Sequence, residues 1–346
     1  MRREPRQAAQ KRHGQNDRAL RVWDDCAAGQ QTAHGRYGLR SIERGDSRAA
    51  LSGYIGNYTV RSEERRRFCA AENTVRERVQ MDREYTYISS RQNPTVQRFA
   101  ALSSRKKREE ERLFCADGVK LCREALGNCG VAYAAVMESR AGDGEIMRLC
   151  RECGGEIIVL SDSAFAKLSA DSTPDGLMFV CRMPDGDGSI GEDESVIMLE
   201  AVRDPGNVGT IIRSAAAFGY DRVILADCAD IYNPKTLRAS MGAAFKLKFT
   251  VCSDTAKAAE MLHSQNRLMI GAALGDESMV CGGDPVGARD CIVIGNEGHG
   301  LSEAALGACD RIIKIPMSSR TESLNAAAAA AVLMWEYGKC GRTSLG

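Results

Sequence analysis

Three stretches of this sequence gather residue types that a bare framework of helices and strands does not require. Asp204, Asn207 and Arg213 lie in DPGNVGTIIRSAAAFG, and Gly295, Asn296, Glu297, Gly298 and Gly300 in VIGNEGHGLS. Pro316, Ser323, Leu324 and Asn325 lie in IPMSSRTESLNAAAAAA. Glycines permit tight turns and close backbone approach, and Asn and Ser supply short hydrogen-bonding arms without net charge. Arg213 adds a cation that stays protonated at neutral pH, and Glu297 a lone acid in a glycine-rich loop. Each also has a purely structural reading. Asn207, Ser323 and Asn325 suit helix N-caps, Arg213 a solvated or salt-bridged position, and Glu297 an exposed turn.

Familiar cofactor and hydrolase fingerprints do not fit. Gly206 and Gly209 lack the G-x-G-x-x-G spacing of a dinucleotide-binding turn, and neither a P-loop nor a G-x-S-x-G elbow occurs. Cys150-Arg-Glu-Cys153 is the one CxxC among 14 cysteines, and a zinc site wants a second close pair. His13, His34, His263 and His299 show no paired ligand spacing. No metal is expected, and the thiols are expected to be reduced and structural.

The elements that must position these residues form a regular rhythm. SVIMLEAV, RVILAD, FKLKFTV, RLMIGAAL, CIVIG and RIIKIP are short apolar strands alternating with helical segments, the last being SLNAAAAAAVLMWEY. This predicts an α/β domain over 195–346 with a largely parallel sheet of about six strands covered on both faces. The three polar sets fall at or just beyond strand C-termini, where open parallel sheets bind ligands. Residues 183–194, rich in Gly, Asp, Ser and Pro, read as a linker. Residues 85–182 read as a small two-layer α/β domain: a helix, a charged break, a strand at Leu113–Ala116, a second helix, then strands AYAAVM, EIIVL and GLMFVCRM with a short helix at AFAKLS. Residues 1–84 read as an arginine-rich disordered extension or as sequence upstream of the true start.

Length and charge agree with this division. The 346 residues, 44% hydrophobic, suffice for two domains, and the net charge of +1 hides a basic beginning: residues 1–80 carry 17 Lys and Arg against 10 Asp and Glu. The remainder is acidic, so bulk charge makes no case for nucleic acid; local sites must. The N-terminal charges precede no hydrophobic segment and no apolar run reaches 18 residues, which argues against a membrane span or secretory signal and for a cytoplasmic protein.

The three segments, in order and at domain-consistent spacing, resemble the signature motifs of the SpoU-type (TrmH-like) RNA 2′-O-ribose methyltransferases of the SPOUT superfamily. NPKTLRASMGAAFKL between them also matches that pattern. Upstream, ISSRQNPTVQRFAALSSRKKREEERLFCADGVKLCREAL resembles the substrate-binding domain often attached to these enzymes, itself similar to ribosomal RNA-binding proteins. The resemblance covers about 85–346 and lends no role to Cys150 and Cys153.

The resemblance implies a deep trefoil knot near the C-terminus, S-adenosyl-L-methionine bound in the knot loops and leaving as S-adenosyl-L-homocysteine, and a homodimer formed through the knotted domain. It implies methylation of a ribose 2′-hydroxyl in structured RNA, with ribosomal RNA preferred over transfer RNA. Arg213 would activate the hydroxyl, position a phosphate or stabilise charge, Asn207 would brace it and the loop or touch the ribose, and Glu297 would orient either or an incoming RNA group. Leu324, with backbone near Gly295 and Ile315, would form the adenine pocket; Ser323 and Asn325 would serve the ribose side or the knot, Ser323 also bordering the cofactor. Asn296 receives no catalytic role. Lys235 and Arg238, with the cluster Arg105, Lys106, Lys107 and Arg108, are candidate phosphate contacts, although Glu109–Glu111 follow directly and a solvated surface is the alternative. The competing functions are a transfer-RNA enzyme, an RNA-binding protein whose methyl transfer is lost or secondary, and a non-RNA ligand binder. The presence of Arg213, Glu297, Ser323 and Asn325 argues against lost activity.

Overall fold

The computed structural model describes residues 85–185, 189–274, 278–282 and 286–338; the expectation for 1–84 lies outside them. The first part comprises β1 (Thr86–Ile88), α1 (Pro94–Ala101), α2 (Arg105–Glu111), β2 (Leu113–Asp117), α3 (Val119–Ala125), β3 (Val131–Met137), α4 (Gly144–Glu152), β4 (Glu156–Leu160), α5 (Asp162–Phe165) and β5 (Leu177–Arg182). Its strands form a five-stranded sheet in the order β1-β4-β3-β5-β2. β1, β4 and β3 run parallel, and β5 is antiparallel to its neighbours β3 and β2.

The second part comprises β6 (Val196–Glu200), α6 (Pro205–Ala217), β7 (Arg222–Ala226), α7 (Pro234–Ser240), β8 (Lys248–Cys252), α8 (Thr255–His263), β9 (Met269–Ala272), β10 (Met279–Val280), β11 (Cys291–Ile294), α9 (Glu303–Ala308), β12 (Arg311–Lys314) and α10 (Ala326–Tyr337). These strands form a seven-stranded sheet, β10-β12-β9-β11-β6-β7-β8, parallel at every pairing. VIMLE in β6, RVILA in β7 and CIVI in β11 are buried throughout, as strands covered on both faces must be.

Several elements differ from the sequence reading, each for a local reason. β10 supplies a seventh strand but spans two residues, too few to carry an apolar pattern. The charged break after α1 is the helix α2, supported by Arg105–Glu109 and Lys106–Glu110 pairs one turn apart. α4 was not anticipated: Asp143 caps it, accepting from the Glu145 and Ile146 amides, and Ile146, Met147, Leu149 and Cys150 face inward. Between the sheets, Ile190 is buried, and the buried Arg267 donates to the carbonyls of Gly191, Glu192 and Glu194. The second half of the glycine-rich connection is therefore tied down onto the second part.

One apolar core runs through both parts. Phe114, Leu121, Val136 and Leu149 belong to the same cluster as Ile197, Leu199, Val208 and Ile211. Phe114 of β2 stacks against Tyr232 at 4.6 Å and Phe245 at 6.0 Å, the latter two flanking α7. Beside this contact Arg108 corrects the sequence reading. It is 1% exposed, so its guanidinium is taken up inside the protein rather than offered to a phosphate. Its guanidinium donates to Asp230 through Nε and Nη2 and to the Leu102 and Ser103 carbonyls through Nη1. Burial of an arginine requires such complete satisfaction, because an unpaired interior charge is strongly disfavoured.

Candidate active site

The site begins with three loop-to-helix or loop-to-strand junctions. β6 ends at Glu200, and Asp204 caps α6 by accepting from the Asn207 amide at 3.0 Å. The cap is thus Asp204, which leaves the Asn207 side chain free for another task. α6 lies close against α7: a Cβ on Gly209 would stand 2.4 Å from the Thr236 carbonyl oxygen, so only glycine admits the approach.

The second junction follows β11. Asn296 and Gly300 exchange backbone hydrogen bonds of 2.9 and 3.0 Å, closing a tight loop. The Asn296 side chain accepts from the Gly298 and His299 amides and donates to the Ala201 carbonyl at 2.8 Å, pinning the loop to the end of β6. Asn296, given no catalytic role from sequence, holds the loop that carries its neighbour Glu297. Glu297 Oε1 accepts from Asn207 Nδ2 at 2.8 Å and from the Asp204 amide at 3.3 Å. Partial burial pushes the Glu297 carboxyl up, but these hydrogen bonds outweigh it and hold the group below its ordinary value. Glu297 is accordingly an anionic acceptor at neutral pH.

The third junction precedes α10. Asn325 caps that helix, accepting from the Ala327 and Ala328 amides, and its Nδ2 donates to Asn207 Oδ1 at 3.1 Å. Both amide ends of Asn207 are therefore committed, one to Asn325 and one to Glu297. Of the two anticipated caps only Asn325 serves; the Ser323 carbonyl accepts from Thr321, and its side chain is exposed.

A cavity of about 380 Å³ adjoins this chain, and its lining includes Gly295, Glu297, Ile315, Ser323 and Leu324. Leu274, Leu306 and Leu324 are exposed, and all three belong to its lining. A Cβ on Gly300, whose φ is +70°, would meet nothing within 4 Å, so the loop backbone itself faces open space. Apolar walls with exposed loop backbone fit a flat base and its hydrogen-bonding edge, which suits the adenosine part of S-adenosyl-L-methionine. Leu324 was anticipated as part of this wall; Leu274 and Leu306 were not, because neither stands in a sequence pattern that sets it apart from an ordinary apolar residue. Arg213 is exposed on α6, does not line the cavity, and makes no ion pair or hydrogen bond among the described residues.

The anticipated RNA cations are mostly engaged with acids. Lys235 pairs with Asp204 at 3.1 Å, Lys107 with Glu110 at 2.6 Å and Arg105 with Glu109 at 2.8 Å. Lys106 extends to 3.9 Å from Glu110. Arg238 links the two parts of the chain, reaching Asp171 at 3.1 Å and Asp117 at 3.9 Å. All five side chains are substantially exposed, as surface pairs that water and RNA can both reach. Among the described residues there is no group of three or more His, Cys, Asp or Glu placed to hold a metal. Burial pushes the Cys150 thiol up to about 12, which leaves it unreactive. No helix among the described residues is long and apolar enough to cross a membrane.

Comparison with known proteins bears directly on this geometry. The model of the SpoU rRNA Methylase family matches residues 194–335, and that of the MRM3-like substrate binding domain matches 93–178. The 23S rRNA (guanosine(2553)-2′-O)-methyltransferase RlmP of Bacillus subtilis is 32% identical over 249 residues, covering 72% of this chain and 97% of that protein. The 23S rRNA (uridine(2479)-2′-O)-methyltransferase of Streptomyces viridochromogenes is 29% identical, covering 72% of this chain and 90% of that protein. Among solved structures, the SpoU methyltransferase AviRb of S. viridochromogenes in complex with AdoMet superposes with a TM-score of 0.66 at 26% identity, covering 74% of this chain and 99% of that one.

Proposed function

Because the chain belongs to the SpoU rRNA methylase family, we propose that it carries a methyl group from S-adenosyl-L-methionine to a ribose 2′-hydroxyl of ribosomal RNA. The reaction, an S-adenosyl-L-methionine-dependent 2′-O-ribose methylation of structured RNA, follows from the family; the ribosomal target is supported by the two named relatives, both acting on 23S rRNA. The observation that carries the assignment is the hydrogen-bonded chain Asn325–Asn207–Glu297, which joins three separate loops beside the cavity.

Ribose methylation requires that the hydroxyl lose its proton as it attacks, that the methyl lie in line, and that the RNA be fixed against both. The cofactor, when bound, supplies an electrophilic sulfonium methyl. Gly295, Ile315, Ser323 and Leu324 would hold it in the cavity they border. Asn207, its amide orientation fixed from both ends, presents a rigid polar edge to the reacting ribose, and the anionic Glu297 keeps it there. Arg213 is free to meet RNA. A guanidinium that stays protonated serves best by holding a phosphate or stabilising the developing alkoxide, with the hydroxyl proton leaving to solvent rather than to Arg213. Lys235, Arg105, Lys106 and Lys107 would exchange their surface acid partners for phosphates.

Two features support the finer architecture. β12 enters the sheet between β9 and β10, and the chain leaving it must cross to α6 to bring Asn325 against Asn207, as a threaded C-terminus would. α10 exposes Val332 and Trp335, with Trp335 edge-on to Phe218 at 5.8 Å, an apolar face suited to a second copy in a homodimer.

The test is transfer of labelled methyl to unmodified ribosomal and transfer RNA, followed by mapping of ribose methylation. A single 2′-O site in ribosomal RNA, lost in Arg213→Ala with cofactor binding intact, is the expected result. Methylation of transfer RNA alone would redirect the substrate, and an Arg213→Ala enzyme with unchanged turnover would remove that residue from the mechanism.

A further inference from the structure

A second cavity, of about 780 Å³, lies between β8, the last strand of the seven-stranded sheet, and the ends of β2 and β5. Its volume lies within the range of roughly 300–1,000 Å³ that ligand clefts occupy. Phe114 forms the buried floor with Tyr232 and Phe245 packed on it, and Phe249 of β8 adds a fourth ring. Tyr232, Phe245 and Phe249 are only half-buried. Around them stand Arg112, Arg182 and Lys248, all exposed, with Asp185 the one acid in the lining among the described residues.

The cations are partly held yet retain open faces. Arg112 donates to the Pro184 carbonyl at 2.7 Å and reaches the exposed Asp185 at 3.5 Å, Arg182 donates to the Val131 carbonyl at 3.4 Å, and Lys248 pairs with Glu194 at 2.6 Å. β8 is paired with β7 on one side; among the described residues its other edge is unpaired, and Val251 on it is 66% exposed. An edge strand with an exposed large apolar side chain is a liability unless something covers it.

We propose that this cleft takes a single-stranded segment of the RNA substrate, with bases stacked on the Tyr232–Phe245–Phe249 wall and phosphates drawn to Arg112 and Arg182. Aromatic faces flanked by cations are the physical requirement for single-stranded nucleic acid, since every base has a π-face and every linkage a negative charge. A peptide adding to β8 would use the edge but not Arg112 and Arg182, which stand at the β2 and β5 side of the cleft. The proposal rests on the RNA-methylating reading above and adds a second contact region, one that borders both parts of the chain. Arg182 and Arg112 carry no part of the methyl-transfer geometry already described.

The experiment uses the full chain and unmodified large-subunit ribosomal RNA. In the R112Q/R182Q enzyme, KM for RNA should rise at least tenfold, while cofactor affinity and kcat at saturating RNA stay unchanged. The slope of log affinity against log salt should shrink by about 1.4, as two lost single-strand phosphate contacts require. R148Q/R151Q, the same charge change on exposed α4, should behave as wild type. Photo-crosslinking of 4-thiouridine-substituted RNA should label the segment 232–251. A double variant that methylates with unchanged KM and salt slope, or crosslinks confined to other segments, overturns the cleft assignment and leaves the methyltransferase reading standing. A wild-type protein that neither binds nor methylates RNA overturns both.

Discussion

Asn207 sits between a donor on one side and an anion on the other, and this makes its substitutions informative. In Asn207→Asp the group facing Glu297 becomes a second carboxylate, so a hydrogen bond of 2.8 Å turns into like-charge repulsion. We expect at least a hundredfold loss of kcat with folding retained, read by methyl transfer beside thermal unfolding. Acid should act through the same pair. The Glu297 carboxyl is held below its ordinary value, so the ionised arrangement is fully present above the usual carboxylate range and is lost as pH falls through that lowered value. The acid limb of kcat should accordingly fall below the ordinary range, and in Glu297→Gln it should disappear. The polar residues themselves were legible, because short amides and glycines at strand ends have few structural uses in such density. The direction of their bonds was not: Asn207 lies 90 positions from Glu297 and 118 from Asn325, and spacing along the chain carries no trace of either distance.

Strands and helices were readable where they repeat and obscure where they serve a neighbour. The long runs of β6, β7 and β11 announce burial on two faces, and all six anticipated strands of the large sheet exist. α2 reads as surface because seven of its seven residues are charged. One of them is interior. Arg108 finds Asp230 from 122 positions away, a partner that no local pattern reveals. Removing one member of a buried pair strands the other, at a cost of about 3–5 kcal/mol. Arg108→Ala should therefore lower stability by that amount in chemical denaturation, while the double substitution Arg108→Met with Asp230→Leu should recover much of the loss. The single substitution should also raise KM for RNA more than it changes cofactor affinity, because Asp230 anchors the approach to α7 through the Tyr232 amide and Thr236 hydroxyl.

At the scale of the whole molecule, the two parts share an apolar core and are joined by a connection anchored on the second. Glu194 is the electrostatic fastening. Burial alone would push its carboxyl up, but Arg222 and Lys248 overcome this and hold it at about 2. Its contribution is then complete above the unfolded carboxylate pKa near 4.3 and lost as pH falls toward about 2. Allowing for solvent screening, about 2 kcal/mol of stability should disappear across that window, and Glu194→Gln should flatten the acid limb of the unfolding curve. The outer face of α10 makes a separate prediction. For the homodimer proposed above through this face, Trp335, 56% exposed, is the residue to test, and Trp335→Glu is expected to give a monomer in light scattering where the native chain gives a dimer. Asn325 gives the architecture a consequence in time. It caps the last helix and completes the bracing of Asn207 in a single act, so the polar chain beside the cavity cannot close until that helix has formed. A nascent chain halted on the ribosome before residue 325 would carry Asn207 and Glu297 but not their third member. The hydrogen-bonded chain beside the cavity is thereby completed only when the last helix has been made.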